Sequence, residues 1–161
     1  MHRLGSDRNA RRVLQQMEHY LSYFRDGEKI YYLNKEGRER VNCNKVRKKV
    51  AQVQHYLMRN ELYLHLGQPV TWKNEMRVGY KDLAFVVTDA LFQRNNVYHV
   101  VEIDHLQKMS KNRIKIEKYQ KIRQRLSFKM IWVTTTDYRR KQLEKLCEGL
   151  DVQIYTISDL T

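Results

Sequence analysis

The segment Val86–His105 reads VVTDALFQRNNVYHVVEIDH and decides the fold class of the chain. Two apolar runs rich in Val, Ile, Tyr and Phe meet at the sequence QRNN, which favours a tight turn, so the segment predicts a buried β-hairpin. The hairpin also carries three carboxylates, Asp89, Glu102 and Asp104. An unpaired buried carboxylate is costly, and we therefore expect these groups to be paired, protonated or bound to a metal ion.

The spacing within the hairpin predicts that two of the carboxylates lie together. If Asn95-Asn96 is a two-residue turn, paired residues sum to 191, which places Asp89 opposite Glu102. A four-residue loop would leave the two side chains diagonal on the same face. Strict alternation also keeps Asp89 on the face of Val87 and Leu91. Repulsion between the two charges calls for a divalent cation, a shared proton or a salt bridge. Basic candidates for the salt bridge are Arg113, Lys115 and Lys118.

The elements around the hairpin predict a mixed sheet. A strand is expected around Trp72–Tyr80, before the hairpin, and a very basic helix from Lys108 to Leu126 after it. A buried strand at 130–134, a helix capped by Thr136-Asp137 and a last strand at 152–157 follow. Three strands, a helix, a strand, a helix and a strand indicate an α/β (α+β) fold. A connecting helix is predicted from Asn44 to about Leu66.

The N-terminal segment has the order of elements of half a winged helix. Ser6 can cap an amphipathic helix, which runs into LSYFRDGEKIYYL at 21–33, a predicted hairpin with a two-residue turn at Asp26-Gly27. A complete winged helix needs preceding helices, and only five residues stand before Ser6, so we expect a preceding segment or a partner to supply them. The polar face predicts DNA contact, and the alternative is an ordinary solvated face. The predicted DNA-binding residues are Arg8, Arg11, Arg12, Gln15 and Gln16 on the helix and Lys29 on the hairpin.

The charge of the chain favours a polyanionic partner. Its 161 residues include 31 Lys and Arg against 18 Asp and Glu, a formal net charge of +13. The first sixty residues hold 14 basic and 6 acidic side chains, a net charge of +8. We therefore predict DNA as the partner, with a second contact from Lys111, Lys115 and Lys118, and leave a homodimer open. The two cysteines show no metal-ligand spacing and no apolar run is long enough to span a membrane, which predicts a cytoplasmic protein; the family resemblance described below implies that it is bacterial and DNA-associated.

Short motifs along the chain resemble two known patterns. An aspartate near the end of one strand, an acidic residue in the next and then a helix and a strand are similar to the restriction-endonuclease-like core, whose motif is PD…(D/E)xK. Five motifs resemble the replication-relaxation family of plasmids and mobile elements: YYLNKEGRERV at 31–41, Trp72–Glu75, TDALF at 88–92, VVEIDH at 100–105 and KIEKY at 115–119. The resemblance implies a winged-helix-like DNA-binding segment at 1–43 and a nuclease-like α/β domain at 44–161.

The same resemblance implies a candidate catalytic site, and the sequence departs from its motif at two positions. Catalytic candidates are Asp89, Glu102, Lys115 and Lys118, and candidate ligands for Mg²⁺ or Mn²⁺ are Glu75, Asp89 and Glu102. Thr88 stands where the nuclease motif has proline, and Asp104 stands where it has the lysine that activates water. We therefore expect a DNA-binding protein of a plasmid or phage that acts in replication, DNA relaxation or their regulation, with a degenerate nuclease-like domain. The alternatives are a metal-dependent endonuclease or nickase, and a protein-interaction scaffold.

Overall fold

The computed structural model describes residues 6–46 and 52–160 and divides the chain into two compact units, Met1–Ala51 and Gln52–Thr161. Both helices and strands are present, as the α/β prediction requires. Within the described residues, no helix is long and apolar enough to span a membrane. The predicted functional division at residues 43 and 44 stays a prediction.

The first unit has the predicted order of a helix and a hairpin. Its elements are α1 (Asp7–Gln16), a 3-10 turn (Glu18–Tyr20), β1 (Leu21–Asp26), β2 (Glu28–Leu33) and α2 (Lys35–Arg40). The Ser6 hydroxyl accepts a hydrogen bond from the backbone N–H of Asn9 at 3.3 Å, which caps α1 as predicted. A Cβ atom at Gly37 would clash with the carbonyl oxygen of Tyr20, so glycine lets α2 approach the 3-10 turn closely.

The turn of the first hairpin differs from the prediction. Asp26 lies opposite Glu28, so the strands pair about Gly27 alone and not about an Asp26-Gly27 turn. Gly27 has a φ of +72°, a left-handed conformation that glycine adopts without steric cost. The register that follows pairs Tyr23 with Tyr31 across the two strands.

The second unit contains the predicted mixed sheet. Its elements are α3 (Val53–His65), β3 (Lys73–Tyr80), β4 (Ala84–Arg94), β5 (Val97–Asp104), α4 (Met109–Arg123), β6 (Lys129–Thr134), α5 (Asp137–Leu146) and β7 (Val152–Thr156). The strand order is β3-β4-β5-β6-β7, with the first three antiparallel and the last three parallel. The predicted connecting helix from Asn44 begins only at Val53 in the described residues, and its segment 47–51 lies outside them.

Two buried clusters lie on opposite faces of the sheet and provide most of its hydrophobic stabilisation. The cluster under α4 and α5 includes Val86, Val100, Ile116, Tyr119, Ile122, Met130, Trp132 and Leu143. The cluster under α3 includes Met58, Leu62, Ala90, Phe92, Val101, Ile103, Ile131 and Val133.

Strand β4 changes face in its middle, which strict alternation did not predict. Val86 packs under α4, whereas Ala90 packs under α3. In a regular strand, residues four positions apart would lie on the same face of the sheet. The pairing of β4 with β5 follows the predicted sum of 191 from Arg94 and Val97 to Ala90 and Val101. There the hydroxyl of Thr88 lies 2.6 Å from the carbonyl oxygen of Val101 and takes the place of a ladder hydrogen bond. The paired positions therefore end at Ala90 and Val101, and the predicted pairing of Asp89 opposite Glu102 is wrong.

The prediction that Asp89 shares a face with both Val87 and Leu91 is wrong. Leu91 packs against the cluster under α4, whereas the Val87 side chain is 54% exposed. The break in alternation at Thr88 is the physical reason, because one irregular residue inverts the faces of all residues before it. Asp89 thus lies at the point where the two strands part.

Candidate functional site

Glu102 is the centre of the carboxylate group on β5. The residue is 1% exposed, and both of its carboxyl oxygens are held by side chains of α4. The ammonium group of Lys115 donates to Oε2, and the hydroxyl group of Tyr119 donates to Oε1. Residues four apart lie on one face of a helix, which allows the same turn of α4 to supply both donors.

Burial controls the protonation of Glu102. The pKa of the Glu102 carboxyl is raised to about 8, chiefly because burial removes the group from water; the nearby charge of Asp89 also raises it, while Lys115 and the Tyr119 hydrogen bond lower it. The pKa of the Tyr119 hydroxyl is also raised, first by burial and then by the neighbouring Glu102. Glu102 therefore retains its proton at neutral pH.

Asp89 lies close to Glu102, but its pKa is moved in the opposite direction. Its Oδ2 atom accepts a hydrogen bond from the backbone N–H of Ile103 at 2.7 Å, and its Oδ1 atom lies 3.0 Å from Nε2 of His55 on α3. Partial burial opposes ionisation, but the hydrogen bond to His55 and the charge of Lys115 outweigh it and hold the pKa of Asp89 below its ordinary value. Two neighbouring carboxyl groups with pKa values moved apart are typical of acid–base sites, and they also occur in structural networks.

Asp104 is held by a separate set of donors. It is fully buried, and the guanidinium group of Arg139 binds it through two hydrogen bonds of 2.7 Å. Asn112 and Thr134 donate to it at 2.8 and 2.9 Å. These contacts tie the ends of β5 and β6 to the first turns of α4 and α5. The position that holds lysine in the nuclease motif is therefore a structural ion pair here.

The structure brings together some of the predicted catalytic and metal-binding residues. Lys115 contacts Glu102, whereas Lys118 is exposed on α4. Glu75 is exposed on β3, and its carboxylate lies 3.7 Å from the guanidinium group of Arg59. Within residues 6–46 and 52–160, no three His, Cys, Asp or Glu side chains are grouped to hold a metal ion. The assignment of Glu75, Asp89 and Glu102 as metal ligands stays a prediction, and the oxygens of the last two lie within hydrogen-bond distance of protein groups in this structure.

Three residues of the site were not predicted from the sequence. Tyr119 contacts Glu102, and its spacing of four residues from Lys115 is the one local signal for that contact. His55 and Arg139 lie 34 and 35 positions from the carboxylates that they contact. No periodicity within one element identifies such partners.

The predicted DNA-binding residues are accessible. All five polar residues of α1 that we assigned to DNA are exposed: Arg8, Arg11, Arg12, Gln15 and Gln16. Lys29 is exposed on β2, and its ammonium group lies 3.9 Å from the centre of the Tyr23 ring. Lys111 and Lys118 are exposed on α4, but Lys115 is half-buried because it binds Glu102. Two separate cationic surfaces are thus available, one in each unit.

Comparison with protein-family models confirms the family that the sequence motifs resemble. The replication-relaxation family model matches residues 1–130, which include both units in whole or in part. The chain belongs to the replication-relaxation family.

Comparison with solved structures gives a weaker likeness. A crystal structure of protein VC1899 from Vibrio cholerae is similar, with 15% sequence identity and a TM-score of 0.46. The match covers 97% of this chain and 40% of the Vibrio chain, so our chain spans less than half the length of that protein. No curated protein matches the sequence.

Proposed function

We propose that this replication-relaxation protein binds the DNA of a plasmid or phage and acts in its replication, its relaxation or their regulation, without cleaving it. The observation that carries the proposal is the polar face of α1. Three arginines and two glutamines project into solvent from one ten-residue helix. Arginine contacts phosphates and guanine edges, and glutamine contacts adenine edges, which makes this combination suited to a DNA groove.

The arrangement of the first unit supports this use of α1. A helix followed directly by a two-stranded hairpin is the order in which a winged helix presents its recognition helix and wing. Val13 and Leu14 are half-buried on the opposite side of α1, and Ala10 is buried. The apolar side therefore packs inward and leaves the arginine side for DNA. We assign residues 1–43 to DNA binding on this basis.

The carboxylates of the second unit support the absence of cleavage. Cleavage by a nuclease of this type needs carboxylate oxygens that are ionised and open to a cation. Glu102 is buried with its two oxygens occupied by Lys115 and Tyr119, and Arg139 binds both oxygens of Asp104. We therefore propose that residues 44–161 form a nuclease-like domain that has been converted into a structural scaffold.

A binding titration tests the proposal. Labelled duplex DNA is titrated with the full chain at several salt concentrations, and we expect affinity to fall steeply with salt because arginine contacts release counterions. A chain that binds no DNA at low salt would overturn the proposal and favour the protein-interaction scaffold.

A metal-dependent endonuclease or nickase is the second candidate, and one observation favours it. Lys115 supplies, from α4, a cation beside Glu102 that could replace the missing lysine of the motif. If this candidate were correct, Mn²⁺ would raise the melting temperature of the native protein, and Asp89→Asn would abolish that rise. Our proposal expects no Mn²⁺-dependent rise in either protein.

A further inference from the structure

One face of the first hairpin carries exposed aromatic and cationic side chains together. Tyr23 and Tyr31 are paired across the strands, and Arg25 and Lys29 form the next pair on the same face. The Tyr23 side chain is 55% exposed and that of Tyr31 is 36% exposed. We call these four residues the tyrosine stripe.

The geometry of the tyrosine stripe is that of a stacking surface. The ring centres of Tyr23 and Tyr31 are 5.8 Å apart with their planes tilted by 49°. The ammonium group of Lys29 lies 3.9 Å from the centre of the Tyr23 ring and 5.6 Å from that of Tyr31. The ammonium group of Lys29 therefore lies over the Tyr23 ring, and the flexible lysine side chain must leave that face for a base to stack there and for the lysine to meet the phosphate.

Packing of the hairpin does not account for the exposed tyrosines. The opposite face of the hairpin carries Phe24, Ile30 and Tyr32, which are all half-buried and supply its inward contacts. The two acidic residues of the hairpin, Asp26 and Glu28, also alternate to that opposite face, next to the turn. The tyrosine stripe thus keeps two positive charges and no negative charge among its four residues.

We propose that the tyrosine stripe binds unpaired DNA, with bases stacked on Tyr23 and Tyr31 and a phosphate beside Lys29. The inference rests on the proposed function and specifies its substrate as DNA with a single-stranded portion. Base faces are covered by neighbouring bases within a duplex, so an aromatic side chain finds a free face only on an unpaired base. Charge complementarity identifies the occupant, since the stripe is cationic and the chain has a net charge of +13.

The test compares two pairs of substitutions in the full chain, one that preserves the rings and one that removes them. The Phe pair, Tyr23→Phe with Tyr31→Phe, retains both rings. The Leu pair, Tyr23→Leu with Tyr31→Leu, retains the apolar bulk and removes the rings. Tyr138→Ala is the matched control, because Tyr138 is an exposed tyrosine of α5 with 71% exposure. Circular dichroism checks that each variant keeps its secondary structure.

The probes are a labelled oligothymidylate strand and a labelled duplex of equal length, and the dissociation constant is measured by fluorescence anisotropy at one salt concentration. We expect the Leu pair to weaken single-strand binding by about tenfold or more, since stacking contributes substantially per base. Duplex binding should change by less than about twofold, because the stripe does not contact stacked bases. The Phe pair and Tyr138→Ala should bind both probes as the native chain does.

Each other outcome overturns the inference in a recognisable way. Unchanged single-strand affinity in the Leu pair would show that the rings do not stack on bases. Equal decreases in affinity for both probes would show a contact with the DNA backbone in place of base stacking, as would equal decreases in the Phe and Leu pairs. Failure of the native chain to bind the single strand while it binds duplex would overturn this inference alone. Failure to bind either probe would overturn the proposed function itself.

Discussion

Lys115 of α4 donates a hydrogen bond to the buried carboxyl group of Glu102 on β5. In the nuclease motif the lysine lies two residues after the acidic residue on the same strand, and here Asp104 occupies that place. The lysine that contacts Glu102 in this structure is Lys115 of the following helix. This contact joins a helix to a strand and leaves Glu102 with no oxygen that lacks a hydrogen-bond donor.

The raised pKa of Glu102 predicts how stability depends on pH. The carboxyl group has an ordinary pKa of 4.5 and a folded pKa of about 8, so the folded chain holds the extra proton between these values. Stability should therefore fall as pH rises from about 4.5 to about 8, because unfolding releases that proton. Glu102→Gln mimics the protonated form and should melt a few degrees above the native protein near pH 8, with the difference closing towards pH 5.

The substitution Glu102→Ala should lower the melting temperature at every pH between 5 and 8. It removes the acceptor of the Tyr119 hydroxyl and the partner of the Lys115 ammonium, at a cost of roughly 3–5 kcal/mol in the free energy of unfolding. Thermal melting of both variants between pH 5 and pH 8 checks the prediction. Parallel pH profiles for the native protein and Glu102→Gln would contradict a raised pKa.

The ion pair of Arg139 with Asp104 should be among the most costly interactions to break. Arg139→Ala leaves a fully buried carboxylate without its guanidinium partner, which typically costs about 3–5 kcal/mol in the free energy of unfolding. Arg125→Ala is the matched control, because Arg125 pairs with Asp82 on the surface, and it should leave the urea midpoint almost unchanged. Arg139→Lys should retain little of the stability that Arg139 provides, since lysine cannot form the two parallel hydrogen bonds. Equal urea midpoints for the two alanine variants would refute a structural role for Asp104.

Local chemistry explains which parts of this fold could be predicted from the sequence. Asn95 and Asn96 have φ angles of 50° and 61°, and asparagine adopts this left-handed conformation readily, so the turn and its register followed from two residues. The change of face at Thr88 could not be predicted, because it depends on a hydroxyl that reaches the neighbouring strand. Arg139 could not be singled out among 31 basic residues, since only the folded chain brings it to Asp104.

Replacement of three arginines tests the DNA-binding face of α1. Arg8, Arg11 and Arg12 changed together to glutamine should weaken duplex binding strongly. The slope of log affinity against log salt should become shallower by about 0.9 for each phosphate that the variant no longer neutralises. The matched control removes three exposed lysines elsewhere, namely Lys81, Lys141 and Lys145. If affinity falls equally in both triple variants, net charge and not the α1 face governs binding.

The exposed lysines of α4 should bind DNA without regard to its sequence. Lys111→Gln with Lys118→Gln should lower affinity by similar factors for unrelated duplexes, because the binding of lysine to phosphate carries no sequence information. Lys115 is left intact in this variant, since its removal would leave Glu102 without a buried partner. Competition between two unrelated duplexes measures the effect, and a change in preference between them would assign α4 to base recognition.

Binding and cleavage measured on one sample test most directly whether this protein holds DNA without cutting it. The full chain is incubated with supercoiled plasmid and with labelled duplex in the presence of Mg²⁺, Mn²⁺ or a chelator. We expect salt-sensitive duplex binding under all three conditions and no nicked or linear plasmid, because Lys115 and Tyr119 occupy the oxygens of Glu102 and Arg139 pairs with Asp104. A metal-dependent nick that disappears in Glu102→Gln would contradict this and make the protein a nuclease.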